Sequence, residues 1–261
     1  MFSSGACISF APSVGDRHET VFLDAGHGGI DPGATGVTES GQAIYEADLT
    51  LPVELDTMAL LRPQGFRVVL SRTASSSVAL LGPADLSEGA LSIQGAHDDV
   101  AARDLCANLA EANVLVGIYF DAGPSSENAG SVTAYDSARA FSASNLRLAG
   151  LVQNDVLAAL NEQGWEIPDD GVVSDVSLGG PAMSGAAASY GHLLLLGPAM
   201  AGYFSTPSEM PGALIEPLFI TDPFEGSIAA TVTGQQIIAT GLDQAIEQYF
   251  APPPPTPTTT G

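Results

Sequence analysis

The stretch VFLDAGHGGIDPG, Val21 to Gly33, sets one histidine among four glycines and two aspartates, directly behind a short apolar run. Val21, Phe22 and Leu23 have the continuous hydrophobicity of a buried strand, and the glycines end it. Packing has no use for a histidine in such a loop. His27 therefore stands at the C-terminal end of a strand, on backbone open enough for a ligand to approach closely. In an open α/β sheet that edge is where sites are built.

Outward from this strand, apolar runs recur at Phe66–Leu70, Val114–Phe120, Ser131–Tyr135, Leu193–Leu196 and Ala213–Ile220. Helical patterning separates several of them. Thr50 can cap a helix with Pro52 in its first turn, which runs to Arg62 before Pro63 and Gly65 end it. Asp98–Ala112, Asn145–Gly164 and Gly234–Phe250 read as further amphipathic helices. Strands alternating with helices predict an α/β fold: a single domain over residues 19–250, with a mostly parallel central sheet and helices on both faces. Two long loops, Ala74–Gly95 and Trp165–Gly191, read as lids or mobile segments. Residues 1–18 form an N-terminal segment without a basic n-region, readable as the remnant of a signal peptide. Residues 251–261, APPPPTPTTTG, read as a disordered Pro/Thr-rich tail.

The formal net charge of −23 comes from the basic side, since 30 acidic residues face seven arginines and no lysine. Such a chain offers no basic patch for nucleic acid and no attraction to anionic membranes or wall polymers. No apolar run approaches the roughly 20 residues that span a bilayer. Cys7 and Cys106 leave two readings open: one disulfide in an exported chain, or a buried thiol at 106 and a loose one at 7.

Further chemistry gathers around His27. Glu46 follows a Gly-rich loop in GQAIYEAD, Tyr119 and Asp121 end the run NVLVGIYFDAG, and Glu216 lies in ALIEPLFITDP. Residues leaving parallel strands in the same direction converge on one sheet edge. A histidine and a carboxylate held this way make half a zinc site, catalytic zinc having three protein ligands and a water. A separate carboxylate then acts as general base on that water. Against this stand plainer readings: Glu46 as a solvated carboxylate at a helix start, and Tyr119 as a packed strand-end tyrosine. His97 reads as a helix-start residue and His18 as solvated. His192 reads as a core-edge residue, with a replacement metal ligand as the alternative. Other chemistries fail, because GHGGID has aspartate where the dinucleotide fingerprint needs its third glycine. There is also no GxSxG elbow, and neither cysteine neighbours a histidine.

DAGHGGIDPGATG, YEADLTL, GFRVVLSRT, RDLCANLAEANVLVGIYFDAG and PGALIEPLFITDPFE together resemble, in order and spacing, the zinc-dependent N-acetylmuramoyl-L-alanine amidases of the amidase-3 type. The resemblance implies that fold, Zn2+ as cofactor, and cleavage of the amide between N-acetylmuramic acid and the L-alanine of the stem peptide. It implies His27 and Glu46 as zinc ligands and Glu216 as the catalytic carboxylate. The family's third ligand is a histidine at the position that holds Tyr119, so Tyr119 is expected as the third zinc ligand here, a weaker one because a phenol must lose a proton that imidazole does not carry near neutral pH. Asp121, two residues on, shares its strand face and could substitute. The expectation is a secreted or envelope-located monomer acting on peptidoglycan or muropeptides. The alternative is a degenerate amidase that binds wall peptides without cutting.

Overall fold

In a computed structural model, residues 1–178, 188 and 190–252 are described. The chain forms β1 (Ala6–Phe10), β2 (Thr20–Ala25), β3 (Thr35–Val37), β4 (Ala43–Tyr45) and α1 (Glu46–Leu61). Then come β5 (Arg67–Arg72), β6 (Leu86–Ser87), β7 (Ala90–Leu91), α2 (Ile93–Leu109), β8 (Val114–Ile118) and β9 (Ser131–Tyr135). The rest is α3 (Ser142–Asn161), β10 (Asp169–Ser174), β11 (Gly212–Glu216), α4 (Pro223–Ala229) and α5 (Val232–Phe250).

The central sheet has seven strands in the order β1-β5-β2-β8-β11-β9-β10. Its middle is parallel, with Val21 beside Val68 on one side and Val114 on the other, and Ala213 beside Val116. Alternate residues of these strands enter opposite layers, as a period of two requires. Val21, Leu23, Val68, Val116 and Ile215 pack under α1, α3 and α5, whereas Phe22, Val69, Leu115 and Leu214 face α2 and Leu195–Leu196. Both faces are thereby covered, which a parallel sheet demands.

The central sheet departs from the sequence reading in four places. β9 runs antiparallel to β11, and β10 runs parallel to β9, so this end of the sheet is reversed. β10 arises inside the segment read as the long loop Trp165–Gly191, because its half-exposed DDGVVS lacks a strand's apolar signal. Leu193–Leu196 is no strand. It is a turn in which Gly197 N–H donates to Leu193 O, and Leu194, Leu195 and Leu196 are buried because the segment crosses the α2 face of the sheet. The N-terminal segment supplies β1, antiparallel to β5, and Cys7 is disulfide-bonded to Cys106 of α2 with Cα atoms 5.6 Å apart. Of the Pro/Thr-rich tail, residues 253–261 lie outside the described residues.

Candidate active site

β2, β8 and β11 are adjacent and parallel, so their C-terminal ends open at one edge. His27 follows β2, Tyr119 and Asp121 follow β8, and Glu216 is the last residue of β11. Glu46 is the first residue of α1, which begins four residues before the expected Thr50 cap. All five line one cavity of about 300 Å3, walled by α2 and by Leu193–Leu195.

His27 has φ of 60°, the left-handed region that costs a non-glycine residue strain unless the surroundings impose it. Here two buried arginines do. Arg103 Nη1 donates to Ala25 O and Asp24 Oδ1, and its Nη2 donates to His27 O and Asp99 Oδ2. Arg72 donates from Nε to Ala25 O and from Nη2 to Gly26 O, Ala47 O and Thr50 Oγ1. Three successive loop carbonyls, 25 to 27, are therefore held by guanidinium groups that are themselves out of water. These arginines escaped the sequence reading. The signal was available: Arg72 and Arg103 lie within the quoted motifs GFRVVLSRT and RDLCAN, in a chain with seven basic residues.

The imidazole so placed bridges two carboxylates, Nδ1 lying 2.8 Å from Asp31 Oδ2 and Nε2 lying 3.0 Å from Glu46 Oε2. Burial opposes the charged imidazolium, but Glu46 and Asp31 outweigh it and push His27 up to about 10. Glu46 is fixed in turn, its Oε1 accepting from Phe120 N–H and its Oε2 from Ala34 N–H. Glycine is required opposite this pair. At Gly33 (φ 67°), a Cβ would come within 2.7 Å of both Glu46 Oε2 and His27 Cδ2.

Tyr119 packs edge-on against His27, ring centroids 5.4 Å apart, and fills the space left by Gly26. Its hydroxyl donates to Asp24 Oδ2 at 3.1 Å. Burial, then the Asp24 charge, holds the phenol well above its ordinary range, so it stays protonated. The ligand role expected of Tyr119 requires this bond to break and that proton to leave. Asp121 hydrogen-bonds to Glu216, and both carboxyls are pushed up, chiefly by burial. The cavity thus sets an imidazole–carboxylate pair near a carboxyl–carboxyl pair, an arrangement with one basic nitrogen, several oxygen donors and a shared proton. His97 is not a cavity group. It lies inside α2 with Nε2 on Tyr203 O, while His192 sits among Asp136 and Asp175.

Residues 21–248 match the family model described as N-acetylmuramoyl-L-alanine amidase. The chain is 24% identical over 230 residues to the germination-specific N-acetylmuramoyl-L-alanine amidase of Bacillus subtilis, covering 88% of this chain and 79% of that protein. It is 27% identical over 234 residues to the N-acetylmuramoyl-L-alanine amidase AmiA of Salmonella typhimurium, covering 88% of this chain and 75% of the relative. Among solved structures, the CwlD amidase from Clostridioides difficile, in complex with the GerS lipoprotein, is similar in fold. Its TM-score is 0.65 at 22% identity, with 88% of this chain and 98% of that chain covered. The amidase AmiC2 of Nostoc punctiforme follows at 0.61 and 22%, covering 90% and 98%. With its cavity on the sheet edge where the sequence motifs converge, the chain belongs to the N-acetylmuramoyl-L-alanine amidase family of peptidoglycan hydrolases.

Proposed function

We propose that this chain hydrolyses the amide joining the lactyl group of N-acetylmuramic acid to L-alanine, with His27 and Glu46 holding a zinc ion and Glu216 as general base. The observation that carries this reading is the His27 Nε2–Glu46 Oε2 separation of 3.0 Å beside the Glu216–Asp121 pair in one cavity. Two donors each 2.0–2.2 Å from a tetrahedral zinc stand about 3.3 Å apart, so the pair fits as two ligands. Asp121 is the nearest in kind to a third, being an oxygen donor on the strand end that carries Tyr119. When bound, zinc acidifies a water and polarises the carbonyl it faces.

The chain's own residues do the rest. Asp31 holds Nδ1 of His27, which leaves Nε2 to face the ligand, and deprotonation of the imidazole accompanies binding. The Glu216 carboxylate takes the proton of the attacking water as its oxygen bonds to the lactyl carbon. It then gives that proton to the alanine nitrogen as the C–N bond breaks, leaving a free amine and a carboxylic acid that still carries the second water proton and passes it to the amine at neutral pH. Asp121 orients Glu216 through their shared hydrogen bond. Leu193, Leu194 and Val100 give the cavity an apolar wall suited to the lactyl and alanyl methyl groups.

The Cys7–Cys106 disulfide supports action outside the cytoplasm, in the wall or envelope. Among the described residues, no helix is long and apolar enough to cross a membrane. One observation favours a second reading, a wall-binding module without catalysis: the Tyr119–Asp24 bond withholds the third donor. Release of free L-alanine amines from muramyl-peptide fragments, with and without added Zn2+, tests the two. Zinc-dependent release abolished by Glu216→Gln supports the amidase; binding of the fragments without release at any zinc level overturns it.

A further inference from the structure

A second cluster of donors lies away from the amidase cavity. Because β9 and β10 oppose β11, their C-terminal ends meet the sheet edge opposite to Glu216. Asp136 directly follows β9 and Asp175 directly follows β10, and both are fully buried. His192 enters between them from the segment after α3 and β10. Its Nδ1 lies 2.7 Å from Asp136 Oδ2 and 3.3 Å from Asp175 Oδ2, and one donor atom from each residue falls within 4.8 Å of the others.

Hydrogen bonding leaves this cluster incomplete. Asp136 Oδ1 accepts from Ala138 N–H and Arg139 N–H, and Asp175 Oδ2 accepts from Leu193 N–H. Asp136 Oδ2 and Asp175 Oδ1 are buried with no hydrogen-bond partner among the described residues. His192 Nδ1 is aligned to hydrogen-bond Asp175 and not Asp136, despite the shorter distance to Asp136. One ring N–H cannot serve two carboxylates. With both carboxyls ionised, even a charged imidazolium leaves one negative charge uncompensated out of water, which is costly; without an ion the two acids must share a proton, as the Asp136–Asp175 side-chain hydrogen bond allows. Arg139 is nearby, but its guanidinium donates to the carbonyls of Leu196, Gly197 and Ser208. The Tyr190 ring stands 5.2 Å from that of His192, and its hydroxyl donates to Pro198 O.

We propose that Asp136, Asp175 and His192 bind one divalent transition-metal ion, at a site separate from the amidase cavity. A dication satisfies all three facing atoms at once and reverses the charge imbalance. One imidazole nitrogen and two carboxylate oxygens suit zinc or manganese more than calcium, which takes oxygen ligands alone. The two nitrogen–oxygen separations, 2.7 and 3.3 Å, lie below and at the spacing of about 3.3 Å between donors to such an ion. The ion has a structural consequence. His192 precedes Leu193–Leu195, which wall the amidase cavity, so metal here ties that wall to β9 and β10.

The test uses the full chain carrying His27→Ala, which removes the imidazole of the amidase cavity and so separates the two sites. Zn2+ per chain is measured by equilibrium dialysis, and Tm is followed with Zn2+ and with a chelator. The His27→Ala chain should bind one Zn2+ and melt at higher temperature with it. Adding His192→Gln or the near-isosteric Asp175→Asn should weaken Zn2+ binding at least tenfold and abolish the Tm rise. A His27→Ala chain that binds no Zn2+ overturns the proposal, as does zinc binding undiminished in both double variants. If a double variant does not fold, Co2+ added to the His27→Ala chain decides. Absorption bands of mixed nitrogen and oxygen coordination support the site, and their absence overturns it.

Discussion

A phenol that donates to a buried carboxylate is a poor metal donor, because coordination requires the proton to leave. Tyr119 is in that position, and its partner Asp24 is further committed to Arg103. Tyr119→His puts an imidazole beside His27 and Glu46 on backbone that already ends β8 at their cavity. Zinc affinity should rise by about ten- to a hundredfold, the range over which even outer-shell partners act. Calorimetric titration of apo protein checks this, and an unchanged affinity would place residue 119 outside the metal's reach. Glu216→Gln should lower amide hydrolysis by at least about a hundredfold, the scale of a lost general base, while zinc stays bound. His27, Glu46 and Glu216 were legible as candidates because each stands in a motif where packing alone gives no reason for it. What Tyr119 does was not legible. Whether its hydroxyl faces the cavity centre or Asp24 depends on Gly26, whose missing Cβ admits the ring, and on Arg103 arriving from α2.

Among the elements, α2 does the most to connect fold and site. Its Arg103 reaches Asp24, Ala25 and the His27 carbonyl, and its Cys106 is bonded to β1. Arg103→Met would leave Asp24 and Asp99 buried without their partner, at a cost of about 3–5 kcal/mol. It would also release the strained His27 loop, so urea unfolding should show that loss and zinc affinity should fall with it. Cys7→Ser with Cys106→Ser should lower stability by up to about 4–5 kcal/mol in the chain-entropy model for a loop of this size, read as a drop in Tm. The parallel strands and their helices were readable because β2, β5, β8 and β11 are continuous apolar runs between helical periods. The reversed end was not. Strand direction leaves no mark on composition, and β10 is too polar to signal a strand at all. Leu193–Leu196 misled for the opposite reason, since four leucines, three of them buried, look alike whether extended in a sheet or turned across its face.

At the scale of the whole molecule, acidity and burial act in the same direction. The chain carries −23 formal charges, so raising the pH adds repulsion that the folded state feels more than the unfolded chain. Its buried carboxyls add a specific contribution. Burial, then the Asp24 charge, pushes Glu54 up to about 8, and burial pushes Glu225 up to about 7. Both values lie above those of the unfolded chain, near 4.3 for glutamate, so between these limits the folded state holds more protons. The stability due to each group is therefore full below about pH 4 and is lost as pH rises through the folded value. Each group contributes a slope of at most about 1.4 kcal/mol per pH unit within its window. Urea midpoints should accordingly fall from pH 5 to pH 8, where many proteins are near their most stable. Glu54 offers a clean control. Its Oε1 accepts from Ala25 N–H, Ser71 N–H and Ser71 Oγ–H, while Oε2 has no partner among the described residues. Glu54→Gln keeps the accepting oxygen and replaces the unpartnered one by a neutral amide, standing in for the protonated acid at every pH. The variant should match wild type near pH 4 and exceed it increasingly towards pH 8, with a shallower slope between. Equal slopes for the two proteins would show that Glu54 folds without its proton.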